Sequence, residues 1–234
     1  MQIKPNNPAL TSLVKFSTIL WLSLFCVLAW LFIELALLVN SGSPLSWDRS
    51  IMLAMRNPLD LGDPIGPAWF EELMRDVTAL GGTGILSLLT LLTCAYLFMQ
   101  KNSTLAWFVL ITIGTGMLCS FALKYGFSRP RPELVAHGSY VYTSSFPSGH
   151  SMMSAVVYFI LTGVLLQTQT RRRIKIFMLS CTAMVVVLIG LSRVYLGVHW
   201  PTDVLAGWSA GCFWALCSYR FLRYWQKRQS RKTH

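Results

Sequence analysis

The chain has 234 residues, of which 54% are hydrophobic and only 12% charged, and it carries a formal net charge of +11. That charged fraction is about half the roughly 25% of an ordinary soluble domain, which weighs against a fold whose solvent is water. The length suits one compact unit, read here as a single domain over residues 1–234.

Six runs contain no Asp, Glu, Lys, Arg or His: 16–33, 77–100, 102–123, 151–170, 176–192 and 204–219. A membrane-crossing helix needs about 20 mostly apolar residues. Four runs meet that length, and the last two need flanking Arg snorkelling and interfacial Trp and Tyr. The sequence therefore predicts an all-α polytopic membrane protein with six transmembrane helices near 16–39, 82–99, 104–123, 150–169, 175–192 and 202–221. The first continues through Glu34 to about Val39, longer than the 7–15 apolar residues of a secretory signal, and reads as a retained anchor. Glu34 lies near its outer end, where it reaches interfacial water. Between the first two spans, "SWDRSIMLAMRN" and "PAWFEELMRDVTAL" mix apolar and charged positions at helical spacing. They read as short amphipathic helices lying on the membrane surface; a plain connector is the alternative. The inner connections "QKNS" and "TRRRIK" are short and polar.

Charge distribution gives the orientation. With six spans and both termini on one side, that side holds Lys4, Lys15, Lys101, Arg171, Arg172, Arg173, Lys175, Arg220, Arg223, Lys227, Arg228, Arg231 and Lys232 and no acid. The opposite side holds seven cations and eight acids. Loop Lys/Arg bias makes the basic side cytoplasmic, so both termini are expected inside. The basic tail "RYWQKRQSRKTH" reads as a juxtamembrane cluster attracted to anionic lipid, with no nucleic-acid partner. The six cysteines all fall in predicted spans without metal-ligand spacing and behave as small hydrophobes.

The chemistry collects in three segments at the outer ends of spans. In "KYGFSRPRPE", Lys124 ends the third span and Arg131-Pro132 follows, with Gly126 and Pro130 opposing a continuous helix. The second is Pro147-Ser148-Gly149-His150, directly before the fourth span. The third is "SRVYLGVHWPTD", with Ser192 and Arg193 ending the fifth span, then His199 and Asp203. Ser148 can cap a helix whose first N–H groups favour an anion. Gly149 lets backbone approach a ligand. Arg131 and Arg193 offer bidentate donors suited to phosphate and Lys124 a point charge. Three cations brought together repel one another unless a multiply charged ligand joins them. Pro201 suits the first helical position, so Asp203 falls near the third and can reach back to His199, fixing its tautomer. His150, heading the neighbouring helix, can protonate a departing oxygen. These segments hold no Asp/Glu/His cluster of the kind magnesium or zinc needs, so neither metal nor cofactor is expected.

The ordered set Lys-x6-Arg-Pro, Pro-Ser-Gly-His and Ser-Arg-x5-His-x3-Asp resembles the three-part signature of the type-2 phosphatidic acid phosphatases. These lipid phosphate phosphatases share a site with vanadium haloperoxidases and some soluble acid phosphatases. The motifs match over residues 124–203, and the six-span layout extends the likeness over most of the chain. The resemblance implies a metal-independent hydrolase. His199 would form a phosphohistidine, Asp203 would orient it, and His150 would serve as acid and then base. Lys124, Arg131, Ser148, Gly149 and Arg193 would bind the phosphate. Arg129 and His137 lie outside the pattern; Arg129 is assigned to the surface, with contact to a head group as the alternative. The expected substrate is a lipid phosphomonoester or diphosphate, such as phosphatidic acid, phosphatidylglycerophosphate, undecaprenyl diphosphate or a lipid A type. Water is the second reactant, and the expected setting is the extracytoplasmic face of a bacterial cytoplasmic membrane. A lipid phosphotransferase of the same superfamily and, in another class, a transporter are the alternatives. A transporter should carry its polar residues near mid-membrane, whereas here they gather at one end.

Overall fold

A 17-residue helix near the middle of the chain is buried along nearly its whole length: α6, Gly149–Leu165, hides Met152, Met153, Ala155, Val156, Val157, Ile160 and Val164. A helix apolar on all sides belongs inside a bundle, and α6 is wrapped by α4, α5, α7 and α8. The computed structural model describes residues 8–40, 45–132 and 144–231, with side chains from residue 18 onward. Among these, the elements are α1 (Pro8–Asn40), α2 (Ser46–Leu53), β1 (Arg56–Asn57), β2 (Asp60–Pro64), α3 (Ala68–Ala79), α4 (Thr83–Met99), α5 (Ser103–Gly126), α6, α7 (Arg172–Tyr195) and α8 (Pro201–Ser230). The predicted all-α class holds, with one short antiparallel hairpin added.

Three described helices, within α1, α5 and α7, are long and apolar enough to cross a membrane by length and composition. A fourth candidate is formed by α3 and α4 together, which bend by 46° at their break. Helix α1 lies antiparallel to α8, with Trp21 beside Arg220, Phe25 beside Phe213, and Leu35 in one cluster with Ala206. At about 1.5 Å per residue, α6 spans roughly 26 Å, a little under the ~30 Å hydrocarbon thickness. Its neighbours shield it from lipid, so it need not match that thickness itself. It stops at Leu165, four residues before the expected 169. Helix α8 instead runs on past 221 to Ser230.

The outer surface is apolar. Leu20, Val27, Trp30 and Leu37 on α1, Leu88, Leu91 and Leu92 on α4, Trp107, Ile111 and Leu118 on α5, and Phe177 and Met184 on α7 are all exposed. Soluble monomers seldom show such continuous apolar faces; lipid is their natural cover. Glu34 is only partly buried on α1.

Helix α8 is joined to its neighbours by indole hydrogen bonds and by missing side chains. Trp208 Nε1 donates to the Val186 carbonyl of α7 at 3.1 Å, and Trp214 Nε1 to the Thr112 carbonyl of α5 at 3.0 Å. An indole N–H without a partner is costly where water is absent. Glycines make room: a Cβ on Gly190 would lie 2.2 Å from Trp208, and one on Gly116 3.2 Å from Trp214. The closest approach is between α6 and α8. A Cβ on Gly207 would meet the Ser148 carbonyl oxygen at 2.7 Å, and one on Gly211 the Met152 carbonyl oxygen at 2.4 Å. Gly207 and Gly211 form the small-xxx-small spacing that lets membrane helices touch backbone to backbone.

The segment between α1 and α4 is more than a connector. Helices α2 and α3 fall where amphipathic pieces are expected, but they pack on α8 and α7 respectively. The intervening hairpin is absent from the sequence-based expectation, because a two-residue strand is too short to show a period. It is shaped by side-chain turns: Asn57 Oδ1 accepts from Leu59 N at 3.1 Å and Asp60 Oδ1 from Gly62 N at 2.9 Å. Buried Arg56 donates to the Tyr195 carbonyl at the end of α7, and the Tyr195 hydroxyl donates to the Ile65 carbonyl at 2.8 Å.

Gly211→Ala should destabilise the protein by about 1–3 kcal/mol through overpacking, because its Cβ meets backbone rather than a movable side chain. Gly114→Ala on α5, where a Cβ meets nothing within 4 Å, should leave stability unchanged; thermal unfolding of both variants in detergent compares them.

Candidate active site

Two helix N-termini stand side by side at one end of the bundle. Helix α8 begins after Trp200, which fixes Asp203 in its first turn, and the Asp203 carboxylate accepts from Trp200 N at 2.9 Å. Helix α6 begins after Ser148, whose Oγ accepts from Ser151 N at 3.4 Å. The two starts are locked together, since Ser148 N donates to the Asp203 carbonyl at 2.9 Å. The close α6–α8 packing thus brings the second and third sequence motifs into one place.

Around this junction lies a cavity of about 550 Å³. Lys124, Arg131, Gly149, His150, Arg193 and His199 line its polar end. Helix α5 ends at Gly126, so Lys124 projects from a helix and Arg131 from the extended segment after it. Lys124 Nζ donates to the Ser144 carbonyl at 3.3 Å, and a Cβ on Gly149 would lie 3.3 Å from Lys124 Cε. Arg193, on the last turn of α7, donates to Thr78 Oγ1 of α3 at 3.0 Å. The Nε atoms of Arg131 and Arg193 are buried and have no protein partner. Buried donors are normally satisfied, and an anion would satisfy these.

His199 is buried, with its two ring nitrogens in different surroundings. Nδ1 lies 3.4 Å from Asp203 Oδ2 and 3.4 Å from Ser145 Oγ, while Nε2 lies 3.4 Å from Arg131 Nη1. An N–H on Nδ1 faces the carboxylate and leaves the Nε2 lone pair on the side of the cationic cavity. Burial holds the His199 pKa down at about 4 from the ordinary 6.5, against the opposing pull of Asp203. Burial likewise lowers that of Arg131, with Asp203 opposing. His199 is therefore neutral near pH 7, with a lone pair on Nε2.

Asp203 and Ser148 sit one layer behind the cavity wall. Ser148 is fully buried, its hydroxyl engaged with Ser151 at 3.1 Å, so it shapes the helix end that presents Gly149 and His150. Ser192 is turned inward, donating to the Ile189 carbonyl at 2.7 Å. Arg129, expected on the surface, is instead 7% exposed and ion-paired with Asp203 at 2.5 Å and Asp48 at 2.7 Å. Nothing local in the sequence marks these partners, which lie 74 and 81 residues away. Ser145, whose Oγ donates to Asp203 Oδ2 at 2.5 Å, and Asp48 escape sequence reasoning for the same cause. His137 lies outside the described residues. Among the described residues no three His, Cys, Asp or Glu side chains gather as a metal site.

The PAP2 superfamily pattern matches residues 105–227, a stretch that contains nearly all of this geometry. The chain belongs to the PAP2 superfamily. It is 33% identical over 189 residues to phosphatidylglycerophosphatase B of Bacillus subtilis (strain 168), covering 77% of this chain and 85% of that protein. It is 31% identical over 112 residues to an undecaprenyl-diphosphatase of Sulfolobus acidocaldarius, covering 42% of this chain and 50% of that one. Among solved structures, the transmembrane PAP2-type phosphatidylglycerolphosphate phosphatase from Bacillus subtilis superimposes with a TM-score of 0.74 at 30% identity, covering 86% of this chain and 96% of that one. Aquifex aeolicus LpxE shares the fold, with a TM-score of 0.50 at 23% identity over 73% of this chain and 91% of its own.

The depressed pKa has a measurable consequence. The unfolded chain takes up a proton at this imidazole below about pH 6.5, whereas the folded one resists until about pH 4. The stability held by a neutral His199 is therefore complete above about pH 6.5 and lost as pH falls towards about 4. In a histidine-selective NMR titration of the substrate-free protein, the resonance absent from His199→Ala should titrate near 4 rather than between 6 and 7.

Proposed function

We propose that this PAP2 enzyme is a metal-independent lipid phosphatase, working through a phosphohistidine at the extracytoplasmic end of a six-span bundle. The observation that carries the reading is the cavity with two unlike ends. Its polar end holds three cations and two imidazoles, and the rest is mainly apolar, with Leu86, Leu91, Leu110, Ile113, Met117 and Phe121 of α4 and α5 outweighing a few Ser and Thr hydroxyls. A phosphate on an apolar tail suits both ends at once. The names of the relatives, a phosphatidylglycerophosphatase and an undecaprenyl-diphosphatase, support a lipid phosphomonoester or diphosphate as the substrate class.

In the first step His199 Nε2 attacks phosphorus and the bond from phosphorus to the leaving oxygen breaks. His150 gives that oxygen a proton, while Asp203 holds the proton on Nδ1 of the charged ring. Lys124, Arg131, Arg193 and the N-terminus of α6 at Gly149, shaped from behind by Ser148, stabilise the equatorial oxygens as charge develops. The bound dianion supplies the negative charge that lets His150 carry its proton. In the second step water, deprotonated by His150, attacks the phosphohistidine. The N–P bond breaks, inorganic phosphate leaves, and both histidines return to their starting state. One water is consumed per turnover.

Sidedness follows from charge. Lys101, Arg171, Arg172, Arg173, Lys175, Arg223, Lys227 and Arg228 lie at or beyond helix ends opposite the cavity, and Gln226 of α8 bonds to Gln167 after α6 at 3.0 Å at that same end. The excess of Lys and Arg there supports a cytoplasmic location and, for the site, the extracytoplasmic face of a bacterial cytoplasmic membrane.

Purified enzyme should release inorganic phosphate from phosphatidic acid, phosphatidylglycerophosphate or undecaprenyl diphosphate, with or without chelator. His150→Ala should lower kcat by about 10²–10⁴-fold, and His199→Ala should abolish formation of an acid-labile ³²P-labelled enzyme. Full turnover by His199→Ala would exclude this mechanism.

A further inference from the structure

We infer that Asp48 and Arg129 are positioning residues for the reaction: through a buried Asp48–Arg129–Asp203 ion triad they hold the carboxylate that orients His199. This rests on the proposed roles of His199 and Asp203. The two oxygens of Asp203 are divided between tasks. Oδ2 serves Ser145 Oγ, Trp200 N and His199 Nδ1, and Oδ1 takes Arg129 Nη1. The Arg129 fork spans two carboxylates, because its Nη2 lies 2.7 Å from Asp48 Oδ2. Asp48 is itself fully buried on α2 and grips the first turn of α8. Its Oδ1 accepts from Thr202 N at 2.9 Å and its Oδ2 from Thr202 Oγ1 at 2.6 Å. Thr202 Oγ1 also lies 2.5 Å from Arg129 Nη1. The residue immediately before Asp203 and the oxygen facing away from His199 are thus tied to the same anchor.

Charge balance explains why two acids are needed. Arg129 facing Asp203 alone would cancel the carboxylate behind His199. With Asp48 added, the triad carries one net negative charge. That charge lies behind the imidazole, opposite Lys124, Arg131 and Arg193. Stability alone does not account for the arrangement, since buried ion clusters are often matched or exceeded by well-packed apolar residues. Arg129 is not among the residues that line the cavity, so its influence on the reaction runs through Asp203 and not through the substrate.

The test compares wild type, Asp48→Asn and Arg129→Lys as full chains in detergent micelles with dioctanoyl phosphatidic acid. Asp48→Asn keeps the shape and removes the charge; Arg129→Lys keeps the charge but cannot bridge both carboxylates. Two inhibitors are added: inorganic phosphate, which reads the cationic cavity, and orthovanadate, whose five-coordinate form would take His199 Nε2 as an apical ligand. Each variant should lose about tenfold or more in kcat with KM within about threefold. The vanadate Ki should rise in parallel, and the phosphate Ki should stay within about threefold. Because Ki belongs to the competent molecules, a partly unfolded preparation still gives an answer. Wild-type kcat and vanadate Ki in both variants, or lost activity with an unchanged vanadate Ki, would overturn the inference and leave the triad a purely structural feature. His199→Ala is run alongside. If it remains active, the proposed mechanism itself fails. If it is dead while Asp48→Asn is silent, only the positioning role fails.

Discussion

The contact on which the rest of the molecule depends is the backbone-to-backbone approach of α6 and α8. Gly207 and Gly211 leave no room for a side chain against Ser148, Ser151 and Met152. The two helix N-termini consequently meet closely enough for Ser148 N to bond the Asp203 carbonyl. A helix start bears partial positive charge, and two of them side by side make a place that favours anions before any charged side chain is counted. One methyl group at Gly211 would push apart the segments carrying His150 and His199, although neither histidine touches that glycine.

Around this junction the site is built in layers of alternating sign. The cavity wall carries Lys124, Arg131 and Arg193. Behind His199 stands Asp203, behind Asp203 Arg129, and behind Arg129 Asp48. Each charge in this stack has an opposite neighbour, as burial away from water requires. The cations of the wall are the exception, with guanidinium Nε atoms left unpartnered. Unbalanced charge is thereby concentrated at the one surface where a phosphate would supply the counter-charge.

The segment between α1 and α4 completes the site from outside the bundle. It contributes Asp48 to the ion triad, Thr78 to Arg193, and Gly81 beside His150, where a Cβ would come within 3.4 Å of the ring. Tyr158 of α6 also donates to the Leu80 carbonyl at 3.0 Å. A stretch that the sequence places on the membrane surface thus touches elements carrying all three motifs.

By itself the sequence determined the features that short-range patterns can specify. Uncharged runs marked the helices, Lys and Arg asymmetry implied an orientation, and the motif spacing singled out Lys124, Arg131, His150, Arg193 and His199, which the fold gathers around one cavity, and Asp203, which stands behind His199. Pro201, two residues before Asp203, was enough to set the carboxylate in the first turn of α8, where it is found. Tertiary structure alone decided the partners. Arg129 looked like one more interfacial cation until folding buried it between acids distant in the chain, and Asp48 and Ser145 carried no local mark at all. The glycines of α8 gave no sign of which helix they would admit. The physical reason is common to all of these: helix periodicity and capping act within a few residues, whereas ion pairing and close packing join whatever the bundle brings together.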